Sequence, residues 1–323
     1  MKNFFCFSRY LFSLLTILFI SGCNPQNLEN NNSLPSQSPE KNCRVIKHEL
    51  GETCIPKNIK KVIILHPYDL ANSIALGVIP IAHTEFTGFP TPKYLEDKLP
   101  EIESVGAFDS PNLEKILQIK PDLIISYTQL KQIYSKLSHI APTVMIKTDY
   151  PSAPSFWKER LNNLAVILDK EDISSQLMDE YWKRVNEIKE KLGDSVNSME
   201  ISVANTSSEY GIWAYGENHY SGSVLKDIGF EHPESQKGDY FYIDNISLER
   251  ISDIDGDVLF FVSWERQDDQ TTLDKLRRNI LWNQLNVVQL DKVYLVGFHW
   301  HNSDIFAINA ILDDIEKYLV NIP

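Results

Sequence analysis

Two pairs of metal-donor residues and a set of aromatic residues are the parts of this 323-residue chain whose types and spacing could do chemistry. His299-x-His301 and His83-x-Glu85 each place two donor groups within reach of one divalent ion, as in zinc or manganese sites. Solvated or hydrogen-bonded histidines account for the same residues, and haem binding is a further alternative. Trp213, Tyr215, Trp264 and Trp300 offer flat amphipathic rings that suit a bulky chelate with apolar arms, and Tyr68, Phe86 and Tyr242 join them as candidate ligand contacts. Arg266, two residues past Trp264, could pair with carboxylate or chelate oxygens. The chain has no glycine-rich phosphate loop and no Gly-x-Ser-x-Gly elbow, and no Asp or His stands with a nucleophile in a recognisable signature. Binding without catalysis is therefore expected, with a lipid-anchored enzyme as the competing class.

The elements that must position these residues are announced by a segment that occurs twice. Asn112-Leu113-Glu114-Lys115-Ile116 leads to Pro121-Asp122-Leu123-Ile124-Ile125, and 135 residues later Ser247-Leu248-Glu249-Arg250-Ile251 leads to Gly256-Asp257-Val258-Leu259-Phe260. Each copy reads as an N-cap, a short helix with its apolar residues on one face, a break, and a strand apolar on both faces, as in covered parallel sheets. A unit used twice at this distance implies two similar α/β lobes with a cleft between them.

Strands are expected at 62–65, 78–82 and 143–146 in the first lobe, and at 201–204, 211–214 and 293–296 in the second. Helices between them are expected at 69–76, near 129–138, at 223–228, from about 272 and from about 303 to 319. Ligands of such sheets sit at the carboxyl ends of the strands. Those loops hold His66, Tyr68, His83, Glu85, Phe86, Tyr127 and Tyr150 in the first lobe. In the second they hold Tyr215, Trp264, Arg266, His299, Trp300 and His301, with Tyr240 and Tyr242 in a nearby connection. Between the lobes, Ile173, Leu177, Tyr181, Val185, Ile188 and Leu192 recur every three or four residues. They predict one long helix stopped by Gly193 and laced by Asp179/Lys183, Glu180/Arg184 and Glu187/Lys191 pairs. The expected organisation is a leader over 1–22, a tether over 23–42, lobes over 43–168 and 194–323, and a connecting helix over 169–193.

Lys2 and Arg9 precede an apolar run from Tyr10 to Ile20 that is too short to span a bilayer as a stable helix and suits a secretory leader. It ends Ile20-Ser21-Gly22-Cys23, which resembles a bacterial lipobox and implies acylation of Cys23; an ordinary leader with an incidental Cys is the alternative. Residues 24–40 are rich in Asn, Ser, Gln and Pro, as flexible tethers are. Exported context favours a disulfide between Cys43 and Cys54 across a hairpin turning near Gly51; a metal site there would lack two further ligands. The formal charge is −13, and loss of residues 1–22 removes two cations and no acid, leaving −15. Such a chain has no electrostatic reason to bind nucleic acid.

Taken together, His48-x-x-Gly51-Glu52-Thr53, Ala75-Leu76-Gly77-Val78, Val105-Gly106, Asn112-Leu113-Glu114, Lys120-Pro121-Asp122-Leu123-Ile124, Gly222-Ser223-Val224-Leu225, Ser247-Leu248-Glu249-Arg250-Ile251 and Ile311-Leu312-Asp313-Asp314 cover nearly everything from Cys43 to Val320. In that order the chain resembles the substrate-binding lipoproteins of iron-siderophore ABC transporters, a family that includes cobalamin and haem binders. The resemblance implies an α/β fold of two Rossmann-like lobes with mostly parallel sheets, joined by one backbone helix. It implies a monomer that delivers a ferric siderophore to a two-subunit permease with its ATPase, with no cofactor beyond the iron carried in the ligand. Glu114 and Glu249 are then the residues expected to meet permease arginines. Few cations stand in the strand-end loops, so a hydroxamate or mixed citrate-hydroxamate chelate is expected over a highly anionic catecholate.

Overall fold

The computed structural model describes residues 43–86, 91–147, 156–207, 211–265 and 269–320. Cys23, Tyr150 and Arg266 lie outside the described residues. The first element is a hairpin: β1 (Cys43–His48) and β2 (Gly51–Pro56) pair antiparallel, from Cys43↔Pro56 to His48↔Gly51. Gly51 turns it at φ +126°, a conformation L side chains rarely adopt. The register brings Cys43 and Cys54 to a Cα–Cα distance of 5.5 Å, within the span of a disulfide. Thr53 Oγ1 donates to Thr143 O, and Arg44 donates to Val166 O and Ile167 O near a helix C-terminus, where carbonyls lack intrahelical partners. The hairpin is thereby fastened to the lobe that follows.

That lobe runs β3 (Val62–Ile64), α1 (Pro67–Ala75), β4 (Ala82–Glu85), β5 (Glu103–Ala107), β6 (Ser110–Pro111), α2 (Leu113–Ile119), β7 (Leu123–Tyr127), α3 (Tyr134–Ile140) and β8 (Thr143–Ile146). The sheet order is β6-β5-β4-β3-β7-β8, and every pairing except β5–β6 is parallel. β3, β7 and β8 are buried throughout, as strands covered by helices on both faces must be. The strand expected at 78–82 begins instead at Ala82: Pro80 has no N–H for a ladder and Ile79 is exposed. The helix expected near 129–138 is a 3₁₀ segment, Thr128–Ile133, followed by α3.

α4 (Phe156–Leu168) leads into α5 (Glu171–Leu192), the long connecting helix, which stops at Gly193 with φ +62°. Tyr181, Val185 and Ile188 on its inner face are buried. Of the one-turn pairs expected along it, Arg184 and Lys191 turn instead to the C-terminal segment. Arg184 reaches Asp313 at 2.6 Å and Glu316 at 2.9 Å, and Lys191 reaches Glu316 at 3.4 Å.

The second lobe runs β9 (Ile201–Ser207), β10 (Gly211–Tyr215), α6 (Tyr220–Ile228), β11 (Tyr242–Ile246), β12 (Val258–Val262), α7 (Asp269–Arg277), α8 (Asn286–Gln289), β13 (Val293–Val296) and α9 (Ile305–Ile315). The sheet order is β11-β10-β9-β12-β13. β9, β12 and β13 are parallel, whereas β10 is antiparallel to both neighbours. Three residues separate β9 from β10, too few for a parallel crossover. The second copy of the repeated segment forms a 3₁₀ helix, Leu248–Ile254, rather than the expected α-helix.

One apolar cluster runs through both lobes along α4, α5, α6 and α9. Polar bonds cross with it: Trp157 Nε1 donates to Ser223 Oγ (2.9 Å), and Asp227 accepts from Lys158 Nζ and from Tyr181 Oη, both at 2.5 Å. Among the described residues, no helix is long and apolar enough to cross a membrane.

Candidate ligand-binding site

The residues after the parallel strands of the first lobe build one aromatic wall. His66, just past β3, meets Tyr68 at 5.2 Å and Tyr127 at 4.9 Å between ring centroids. Phe86, just past β4, meets Tyr68 at 5.5 Å and Phe108 at 4.7 Å. Behind this wall Arg160 forks onto Asp69, Nε to Oδ1 at 2.7 Å and Nη2 to Oδ2 at 2.9 Å, while Nη2 also lies 2.8 Å from His66 Nδ1. Both partners are buried, and burial together with the guanidinium charge holds His66 well below the usual imidazole range. Arg160 went unremarked in the sequence, although it shares a helical face with the buried Trp157, Leu161 and Leu164. A charge on an apolar stripe signals a buried partner.

The second lobe supplies the opposite kind of wall. Trp213 on β10 stacks on Trp264 (5.6 Å, 11°) and meets Tyr242 at 5.0 Å. His301 lies 4.8 Å from Trp264, 5.2 Å from Phe298 and 5.9 Å from Tyr242. Burial holds the His301 ring neutral, its pKa pushed down to about 4. Beneath lie Tyr215, fully buried, whose hydroxyl is 3.2 Å from His301 Nδ1, and His219, whose ring is 4.3 Å from that of Tyr215.

The two lobes meet beside these walls. Tyr94, on a 3₁₀ turn of the first lobe, donates to Asp304 Oδ2 at 2.6 Å and accepts from Asn302 Nδ2 at 2.7 Å. Lys93 N donates to Glu265 Oε2 at 3.0 Å, next to Trp264. Asp304 caps α9 by accepting from Ala307 N, and Ile305 N donates to Asn72 Oδ1 on α1.

Trp300 is not part of either wall. It is fully buried, stacked on Phe260 at 4.4 Å, with Nε1 donating to Asp314 Oδ2 at 2.9 Å. Phe298–His301 is a 3₁₀ turn, whose period of three puts 298 and 301 on one face and turns 300 into the core. The metal-donor pairs part company as well. His299 Nε2 is bound to Asp314 at 2.7 Å, His83 Nδ1 lies 2.8 Å from Thr84 O, and Glu85 accepts from Ser104. Among the described residues no three His, Cys, Asp or Glu converge on one point.

Glu114 and Glu249 are both exposed. Glu114 sits in the first turn of α2, capped by Asn112. Glu249 lies on the 3₁₀ turn, its carboxyl held below the usual range by its own backbone N–H and the Ser247 hydroxyl.

Comparison with known proteins agrees with this architecture. The chain is 31% identical over 321 residues to the probable siderophore-binding lipoprotein YfiY of Bacillus subtilis, covering 95% of this chain and 96% of that one. It is 32% identical over 286 residues to the Fe(3+)-citrate-binding protein YfmC of the same organism, covering 87% and 86%. Among solved structures, Staphylococcus aureus SirA complexed with staphyloferrin B superposes with a TM-score of 0.72 at 25% identity, over 85% of this chain and 98% of that one. The model of the periplasmic binding protein family matches residues 69–299, and the chain belongs to that family.

Proposed function

We propose that this protein is the extracytoplasmic binding component of an ABC importer that captures a ferric siderophore and hands it to the permease without chemical change. The observation that carries this reading is the pair of unlike walls at the strand ends, one aromatic sheet backed by a neutralised Arg160–Asp69 pair and one box of indole, phenol and imidazole rings. Flat rings suit the apolar arms of a chelate. Few cations stand in the strand-end loops, which favours a weakly charged hydroxamate or mixed citrate-hydroxamate complex over a highly anionic one, with Arg266 as an added contact for chelate oxygens. The relatives support iron chelates as the ligand class in general: one is named for ferric citrate, and the FeuA structure from B. subtilis holds the triscatecholate ferri-bacillibactin.

On the same reading the protein works as a monomer, Cys23 carries the lipid anchor on the outer face of the cell membrane, and Cys43–Cys54 is oxidised. It carries no cofactor of its own. Glu114 and Glu249 engage the two permease subunits, so their alanine variants should lose uptake in cells and keep ligand affinity. Tryptophan-fluorescence titration with ferric citrate, Fe3+–Desferal, staphyloferrin B and ferri-bacillibactin tests the reading. Saturable quenching by the first two, with weaker response to the last, is expected. No response to any of the four would overturn it.

A further inference from the structure

We infer that His301 reads an oxygen acceptor on the bound chelate through an Nε2–H that the buried Tyr215 hydroxyl holds in place. This rests on the reading of the cleft as a ferric-chelate site and adds the group that recognises the ligand there.

The indole N–H of Trp264 only donates, so its 2.8 Å contact with Asn205 must be to the amide oxygen, which fixes which way round that amide lies. Asn205 is fully buried on β9, opposite Trp213 on one side and Val262 on the other. Its Nδ2 has no hydrogen-bond partner among the described residues. The Tyr215 side chain is fully buried and its phenol stays protonated, so its O–H must find an acceptor; the one within reach among the described residues is His301 Nδ1 at 3.2 Å. A neutral imidazole whose Nδ1 accepts carries its proton on Nε2.

The ring that bears this donor is only part-buried, between Phe298 and Tyr242, stacked at 19° and 13°. Among the described residues Nε2 has no hydrogen-bond partner. An Nε2–H offers a metal no lone pair, so the group it suits is a carbonyl, hydroxamate or hydroxycarboxylate oxygen of the chelate and not the iron itself. Box wall and donor are each held from beneath: Asn205 Oδ1 accepts from Trp264, and the Tyr215 hydroxyl meets His301 Nδ1.

Nitrogen-15 spectra of the histidines in the full-length ligand-free protein test the hydrogen bond from Tyr215. His301 should show a protonated Nε2 and an unprotonated Nδ1, and Tyr215→Phe should give a mixture of tautomers. A protonated Nδ1 in the wild type would overturn the inference. Titration with ferric citrate and Fe3+–Desferal tests the ligand half. His301→Leu should weaken binding of at least one probe by about 5- to 30-fold, the range for a lost hydrogen bond in a site. His301→Gln, which restores an N–H donor, should recover most of it. Wild-type binding with an unchanged His301→Leu titration sinks this inference alone. A wild type that binds none of the four chelates named above sinks the functional reading and this one with it. If His301→Leu fails to fold, the comparison of His301→Gln with wild type and the tautomer spectra still decide.

Discussion

The two lobes carry one segment and fold it in two ways. In the first, Asn112 Oδ1 accepts from Lys115 N and α2 runs seven residues to a left-handed Lys120. In the second, the Ser247 side chain makes no capping hydrogen bond; the turn is 3₁₀ and departs from helical angles at Arg250. The strands that follow are alike: β7 and β12 are both buried throughout and both lie inside their sheets. Ile116 and Ile251 are both buried ahead of them. The shared pattern therefore specifies an apolar anchor and a central strand, whereas the capped copy is an α-helix and the uncapped one a 3₁₀ turn. The same divergence separates the two walls of the site, a buried ion pair behind one and a neutral ring box forming the other.

That contrast can be broken most forcefully at Asp69. Asp69→Asn leaves Arg160 buried with its charge uncompensated and should cost about 3–5 kcal/mol in denaturant unfolding. A cost below 1 kcal/mol would mean the pair is not what holds the first wall. The second wall should answer to acid instead. His301 is held neutral, with a folded pKa of about 4 against an ordinary 6.5. The unfolded chain therefore binds more protons between those values, and stability is full above pH 6.5 and falls as pH drops toward 4. His301 alone contributes up to about 3 kcal/mol of that loss, and His66 and His219, shifted the same way, add to it. A His301→Gln variant should flatten the slope of ΔG against pH in this window, and an unchanged slope would count against the assignment.

Smaller effects sharpen the map. Trp264→Ala should weaken chelate binding by about 1–3 kcal/mol. Trp300→Phe should leave affinity intact and lower the melting temperature, since its indole serves Asp314 and the core. The reverse result would return Trp300 to the site. Least of all, Asn112→Ala should cost about 1 kcal/mol as a lost N-cap, while Ser247→Ala should change stability by only a few tenths. Equal costs, read by thermal unfolding, would show that the two copies are capped alike after all.

Much of this was legible in the residues. Short apolar runs alternating with helices gave the strands at Thr143–Ile146 and Val293–Val296, and a spacing of three or four gave the long helix ended by Gly193. Residues past strand ends gave Tyr68, Phe86, Trp213, Tyr242 and Trp264 as candidates, and the fold gathers them into two walls. Trp300 was misplaced because loop position says nothing of which way a 3₁₀ turn points its middle residue. Arg160, Phe108 and Asn205 were missed because their roles depend on partners 91, 22 and 59 residues distant for the contacts Arg160–Asp69, Phe108–Phe86 and Asn205–Trp264. Periodicity within one element carries no trace of such pairings, although Arg160 on an apolar stripe was a hint.

The tie between α1, the Tyr94 turn and the start of α9 also sets an order of assembly. The first sheet is complete in sequence once Ile146 is present, and α4 and α5 follow directly. Asn72 and Tyr94 must then wait for Asn302, Asp304 and Ile305, more than two hundred residues downstream, before their buried polar groups find these partners. Until that late segment arrives, this part of the seam is unclosed and the second wall lacks Phe298 and His301. A nascent chain emerging N-terminus first would thus carry the residues of one wall long before it could hold a ligand.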